Sequence, residues 1–415
     1  MQSAIKKEKN IFNKTTLLIA LCWLVYTCSY LGKLGYNANI TQIETVYSVS
    51  HSTAGVVSTF FFFAYGIGQI LNGIFCKKYR IRFVVFTSLL VSGLMNFLVG
   101  ISNDFTFVKY FWLINGAALS VLWPSLIRLL SETLGEKDIG RAVVVMGTTV
   151  AVGTVFVYGF SALFVWLGAY TTMFYTAGIV LPLIALLWLF AYPKLTKRET
   201  VAIEETSYEE NKSLKQTGIG GLWFAISILA VFAIFDNLIK DGLTTWVPMI
   251  LKETYTFPDS VSILLTILLP VLAIFGTGLA VSLHKKVKDF ITLSAILFLL
   301  SAIFIALVIL CLPTGWYLVT LGSFGIIACL MAGVNNIITS MTPLYWKDKI
   351  NSGLLAGVLN GFCYLGSTLS AYGLGIIADL GGWNAVFYLL LGLCIAAVLL
   401  WIFYLIKKKV KKQNF

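Results

Sequence analysis

Charge is scarce in this sequence: of 415 residues only 12% are Asp, Glu, Lys or Arg, whereas 59% are hydrophobic and mean hydropathy is +0.89. A soluble domain carries about a quarter of its residues as charges, so a soluble globular protein is excluded. Histidine is nearly absent, with His51 and His284 alone, and the seven cysteines (Cys22, Cys28, Cys76, Cys311, Cys329, Cys363, Cys394) form no C-x-x-C pair. That set supports neither a zinc site nor a disulfide framework, and no metal or cofactor is expected. Also missing are H-E-x-x-H, G-x-S-x-G and the phosphate-binding G-x-x-x-x-G-K-[ST]. Without a catalytic constellation or a nucleotide-binding loop, the chain reads as neither an enzyme nor an ATP-driven pump. The alternation of a membrane β-barrel is lacking too, since stretches such as Leu183 to Phe190 are apolar on successive residues.

What is present is a series of about twelve apolar runs, each of roughly 20 residues and able to cross a hydrocarbon core about 30 Å thick as a helix. They lie near 15–38, 52–76, 83–101, 108–131, 142–166 and 171–192, then near 219–242, 258–283, 289–312, 315–341, 352–379 and 383–406. The basic N-terminus resembles a signal peptide, but the run from Thr15 to Tyr36 exceeds a typical h-region and reads as the first transmembrane helix. The expected fold is an all-α membrane protein of twelve transmembrane helices in two pseudo-symmetric six-helix bundles, residues 1–192 and 218–406. A polar linker over 193–217, rich in glutamate, joins them, with too few apolar residues to pack. A basic tail over 407–415 closes the chain.

The net charge of +12 and pI near 9.2 reflect where the basic residues fall. With the N-terminus in the cytoplasm, only Lys109 and Lys252 occupy outer loops, and clusters such as Lys77, Lys78, Arg80, Arg82 and Lys407 to Lys412 face inward. This is the positive-inside pattern of a protein of the cell membrane with both termini cytoplasmic, and it points to lipid headgroups rather than nucleic acid.

The second half repeats the first. Leu167-Gly168-Ala169-Tyr170 recurs as Leu380-Gly381-Gly382-Trp383, Lys77-Lys78-Tyr79-Arg80 as Lys285-Lys286-Val287-Lys288, and Leu31-Gly32-Lys33-Leu34-Gly35 as Leu238-Ile239-Lys240-Asp241-Gly242, at offsets of 213, 208 and 207 residues. Parallel halves related by an axis along the membrane normal, with a site between them at mid-depth, are a transporter architecture working by alternating access.

Charges inside the apolar runs are costly, at least about 2.5 to 3.5 kcal/mol at a helix centre, and are kept when they face protein or water. Lys33, Asp236 and Lys240 are such charges. The two lysines either snorkel to the outer interface or, at repeat-equivalent places on the first helix of each half, face one another across a cavity and attract an anion. Asp236, four residues before Lys240, either pairs with it or serves as the group that couples transport to protons. Candidates to complete a substrate site are Tyr36, Asn37, Tyr65, Gln69, Asn335 and Asn360, with Tyr30, Asn336 and Tyr364 beside them; interhelical hydrogen bonding is the other role open to each. Arg128, Lys77 and Arg141 are gating candidates on the cytoplasmic side. Gly66, Gly68, Gly73, Gly147, Gly153, Gly353 and Gly357 read as close-packing positions, and Pro124 and Pro248 as kinks or ends.

These residues resemble the major facilitator superfamily and, within it, the organophosphate:phosphate antiporters, which include glycerol-3-phosphate and hexose-phosphate transporters. The markers are Tyr30-Leu31-x-Lys33, Ala64-Tyr65-Gly66-x-x-Gln69-x-x-x-Gly73, Trp123-Pro124 with Arg128, Lys240-x-Gly242-x-x-x-Trp246-x-Pro248-x-x-Leu251, and Gly361-x-x-x-Leu365-Gly366-Ser367. The resemblance implies the major facilitator fold and a phosphate gripped by basic residues at the positions of Lys33 and Lys240. This chain departs from the pattern in carrying lysine where arginine is common, in Asp236 and Asp241 beside Lys240, and in lacking the usual Asp after the second helix. The expected function is secondary active transport of a small organic anion, phosphorylated or not, by a monomer coupled to inorganic phosphate exchange or proton symport. The alternatives are a carboxylate (sugar acid) proton symporter of the same superfamily and a transporter-like sugar-phosphate sensor.

Overall fold

The computed structural model describes residues 2–75, 79–196, 219–346, 349–350 and 352–413. Lys77 and nearly all of the expected linker lie outside these residues. The first half holds α1 (Gln2–Ala38), α2 (Ile40–Tyr47), α3 (His51–Phe75), α4 (Ile81–Ile101), α5 (Phe105–Leu119), α6 (Leu122–Thr133), α7 (Glu136–Gly147), α8 (Thr149–Trp166) and α9 (Thr172–Leu195). The second holds α10 (Ile219–Tyr255), α11 (Asp259–Leu265), α12 (Leu268–His284), α13 (Phe290–Cys311), α14 (Tyr317–Asn336), α15 (Thr342–Tyr345) and α16 (Ser352–Gln413). Eleven described helical segments are long and apolar enough to cross a membrane. The last of them turns back at Gly382, whose φ of 70° only glycine adopts readily, so α16 forms two arms and the described spans number twelve. The matching turn of the first half is at Gly168, φ 71°, one residue out of the register in which Gly168 answers Gly381. Because the described spans are even in number, α1 begins and α16 ends on the same face of the bundle, called here the terminal face; the opposite one is the far face.

Several runs that read as single helices are broken. The run near 108–131 divides between α5 and α6, and that near 258–283 between α11 and α12. In each case a proline, Pro124 or Pro270, is the third residue of the second helix, where its missing N–H costs no internal bond. The run near 142–166 divides at Thr148, between α7 and α8. Hydropathy continues across all three breaks and does not reveal them. Conversely, α10 does not stop near residue 242 but runs through Pro248 to Tyr255. The basic residues from Lys407 onward are helical: α16 continues to Gln413, as lysine's good helix propensity allows.

Close approach of backbones seats the helices. Gly55 of α3 lies against the carbonyl of Ala371, and Gly366 against the carbonyl of Ile234 on α10, so a side chain at either would force the helices apart. A Cβ at Gly66 would lie 2.8 Å from that of Tyr364, and one at Gly153 2.7 Å from that of Tyr30. Gly147 and Gly357, expected as packing positions, face open space instead. Buried amides join the spans of the first half: Asn115 donates to the Gly32 carbonyl at 2.7 Å and accepts from Ser92 at 2.7 Å, bonds worth on average about 0.6 kcal/mol each in a membrane bundle. On the terminal face Asp289 caps α13 through the Thr292 amide at 2.9 Å and accepts from Tyr404 at 2.9 Å and Lys408 at 2.8 Å. Burial opposes ionisation there, but these donors outweigh it and hold the Asp289 carboxyl below the usual carboxylate range.

Candidate functional site: a two-lysine polar cluster

Lys33 lies five residues before the end of α1, but helical side chains lean toward their helix N-terminus, here away from the far face. Its Nζ comes 4.5 Å from the ring centre of Tyr65, 5.4 Å from Tyr30 and 5.8 Å from Tyr364. Tyr65 is fourteen residues into α3, about 20 Å along the helix from its far-face end. The ammonium therefore points into the bundle, into a cage of rings drawn from both halves, and does not snorkel.

Lys240 stands midway along α10. Its Nζ donates to Asn237 Oδ1 at 3.0 Å and lies 3.8 Å from Asp241 Oδ1. Asp241 Oδ2 accepts the hydroxyl of Ser367 at 2.5 Å, and Ser367 Oγ accepts from Asn237 at 3.2 Å. Asn335, just before a π-helical turn over Ile337–Met341, donates to Asn237 Oδ1 at 3.0 Å and to Asp236 Oδ2 at 3.2 Å. Such turns are frequent at functional sites. Asp236 is fully buried and its Oδ1 has no hydrogen-bond partner among the described residues. Tyr364, whose ring faces Lys33, and Ser367, which bonds Asp241, stand about one turn apart on α16, so one polar cluster holds a lysine from each half.

The far face is closed above this cluster. Asn37 donates to Thr245 Oγ1 at 2.8 Å while accepting from Ser58 at 2.9 Å, and the Tyr158 hydroxyl donates to the Thr244 carbonyl at 2.7 Å. Further out, His51 sits between Glu44, at 2.8 Å from Nδ1, and Glu253, at 3.4 Å from Nε2. The rings of Trp246 and Trp383 flank it, and Trp383 donates to Glu253 at 2.7 Å. Asp379 accepts the amides of His51 and Ser52 at 3.0 and 2.9 Å. Glu44, between the first two spans, has its carboxyl pushed above the usual range by burial, with His51 acting the other way. Gln42 bonds Asp259, which also pairs with Lys252 at 3.0 Å. Each of these contacts except His51–Glu44, Ser58–Asn37, Trp383–Glu253 and Lys252–Asp259 joins the first half to the second.

The structure thus brings Lys33, Tyr65, Asp236, Lys240 and Asn335 together. Gln69 and Asn360 adjoin them as a chain across the halves, Asn360 to Gln69 Oε1 at 3.0 Å and Gln69 to the Tyr65 hydroxyl at 3.0 Å. Asn37 belongs to the far-face closure. Tyr36 is not brought to the cluster: it is fully buried on Trp112, and its hydroxyl donates to the Ala54 carbonyl at 2.9 Å. Arg128 pairs with Glu132 at 2.7 Å, and Arg141 donates to Thr16 at 3.3 Å; both contacts stay within the first half. The partner of Lys240 is Asp241 rather than Asp236. Asn237, Ser367 and Tyr158 were not singled out for the site by their sequence. The signal for Ser367 was its place in the eleventh-span motif, whereas Asn237 and Tyr158 offered none beyond polarity in an apolar run.

Among known proteins, the chain is 23% identical over 384 residues to the "Probable hexose phosphate transport protein" of Chlamydia pneumoniae, covering 84% of this chain and 82% of that one. It is 25% identical over 354 residues to the "3-(3-hydroxy-phenyl)propionate transporter" of Escherichia coli K12, covering 82% and 81%. The fold matches the crystal structure of a D-xylose-proton symporter with a TM-score of 0.73 at 15% identity, over 94% of this chain and 97% of the other. The family model described as Major Facilitator Superfamily matches residues 22–371, most of the chain and both lysines. The chain belongs to the Major Facilitator Superfamily of membrane transporters.

Proposed function

We propose that this protein is a secondary transporter that carries a small organic anion across the plasma membrane by alternating access. The observation that carries this reading is the meeting of Lys33 and Lys240, one from each half, in one buried polar cluster beneath a closed far face. A ligand seated in a cluster that both halves build links them at mid-depth, where rocking of one half against the other exposes it to either side. With the termini in the cytoplasm, as the basic loops favour, the far face is extracellular and the conformation is closed to the outside. Each chain holds both halves of the site, so a monomer suffices. Asp236, buried beside Asn335 with one carboxyl oxygen unpartnered, is the candidate for proton coupling; exchange for inorganic phosphate is the other mode. The hexose phosphate and aryl propionate in the relatives' names are both acidic, which supports an anion without choosing between phosphate and carboxylate.

The test is counterflow in proteoliposomes preloaded with inorganic phosphate, competed with sugar phosphates, glycerol phosphate and carboxylates. Phosphate self-exchange identifies an antiporter, and carboxylate uptake driven by a proton gradient identifies a symporter. Movement of no anion in either format overturns the reading.

A further inference from the structure

The two lysines are not equivalent. Lys240 already has a carboxylate, Asp241 Oδ1 at 3.8 Å, and a neutral acceptor, Asn237 Oδ1 at 3.0 Å. Asp241 is itself fixed by Ser367 at 2.5 Å, so the pair is held from α10 and α16 together. Lys33 has no carboxylate within ion-pair distance and no hydrogen bond among the described residues; the rings of Tyr30, Tyr65 and Tyr364 surround it. An ammonium that meets only ring faces retains its donors for a ligand.

Resting on the reading of this cluster as an anion site, we infer that it selects monocarboxylates over phosphate dianions, because Asp241 neutralises Lys240 and leaves Lys33 as the lysine open to the ligand. The charge balance leads there. Two lysines and Asp241 leave one positive charge when Asp236 carries a proton, and none when it does not. A monocarboxylate with a protonated Asp236 brings the loaded site to neutrality. A phosphate monoester, with a charge of about −1.5 to −2, leaves excess negative charge facing Asp241 and Asp236 in a medium of low dielectric, where like charges repel strongly. Geometry points the same way, since a lysine is a point charge and lacks the planar fork that matches phosphate oxygens two at a time. The carboxylate seats on Lys33.

The experiment uses the full-length protein in liposomes and three pairs of ligands that share a body and differ in the acidic group. These are glucuronate with glucose 6-phosphate, glycerate with glycerol 3-phosphate, and 3-phenylpropionate with 2-phenylethyl phosphate. Binding of each is measured at pH 7.5 in the wild type, Asp241→Asn and Ser367→Ala. In at least one pair the wild type binds the carboxylate at least about tenfold more tightly than the phosphate. Asp241→Asn, which frees Lys240, moves that ratio toward the phosphate, and Ser367→Ala moves it the same way by less, giving a second reading should the aspartate variant fail to fold. Equal or tighter binding of the phosphate member, binding by no carboxylate, or an unchanged ratio in the folded variants overturns the inference. If the phosphates bind and exchange, anion transport stands and only monocarboxylate selectivity falls. If neither class binds or moves and Lys33→Ala behaves as the wild type, both fall.

Discussion

The Tyr158 hydroxyl donates to the carbonyl of Thr244 at 2.7 Å, and that carbonyl is open to it because residue 248, four positions on, is proline. A helix normally closes this bond with its own amide, which proline lacks. The defect in α10 thereby becomes a latch that α8 of the other half engages. Tyr158→Phe removes about 1 kcal/mol from the far-face-closed state, shifting the closed-to-open ratio about fivefold. Cross-linking of cysteine pairs placed at the far-face edge in a cysteine-free background would show it; unchanged cross-linking yields would remove Tyr158 from the latch.

Lys33→Ala removes the lysine open to the ligand and Lys240→Ala leaves Asp241 unneutralised beside the ligand's acidic group; both cut transport sharply without preventing membrane insertion, because the chain keeps its apolar spans. A hydrogen-bonded contact to a charged group is worth about 1.5 to 3 kcal/mol, which sets a loss of at least about tenfold in uptake at low substrate. Surface expression and uptake measured together separate the two effects. Normal uptake by either variant at low substrate would exclude that lysine from the site.

Asp236→Asn retains the shape of the carboxyl group and the contact with Asn335 while removing the titratable proton. If Asp236 is the coupling group, the variant loses the pH dependence of uptake and the ability of a proton gradient to drive accumulation, but still exchanges substrate across the membrane. A pH profile parallel to that of the wild type would leave Asp236 as a structural partner of Asn335.

On the terminal face Asp289 gives a stability prediction with a definite sign. Its native carboxyl is held below the usual range, so it binds fewer protons folded than unfolded. Its contribution is full above the unfolded value of about 3.9 and is lost as pH falls through the depressed native value. Asp289→Asn keeps the helix cap, since asparagine caps as well as aspartate, but removes the charge that Lys408 and Tyr404 meet, and lowers thermal stability at pH 7 by about 0.2 to 1 kcal/mol. The gap between variant and wild type closes as melting is followed down to acid pH, and a gap that widened toward acid pH would contradict the assignment.

The fold class and the number of spans were legible because apolar length is a local property that each run displays by itself. Lys33, Asp236 and Lys240 were legible because a charge within such a run is conspicuous. The partnerships were not. Gln69 meets Asn360 across 291 residues and Asn237 meets Ser367 across 130, so nothing near either member shows that the other faces it. Pro248 was undecidable locally, because whether α10 stops or continues depends on a donor supplied from α8. Tyr36 misled for the same reason: its polarity was visible, but its direction, toward the Ala54 carbonyl and the Trp112 ring, is set by groups on α3 and α5.

The first turn of α3 takes its cap from Asp379, which receives the amides of His51 and Ser52 from the opposite half. A helix end completed by another body is whole only while the two bodies touch. When the far face parts, those two amides must turn to water or to Ser50, whose hydroxyl already meets the Thr53 amide at 3.3 Å. The two amide protons therefore act as an internal reporter of the transport cycle, slow to exchange with solvent while the far face is closed and fast while it is open. Their exchange rate would record which way the protein points, with no label and no substrate required.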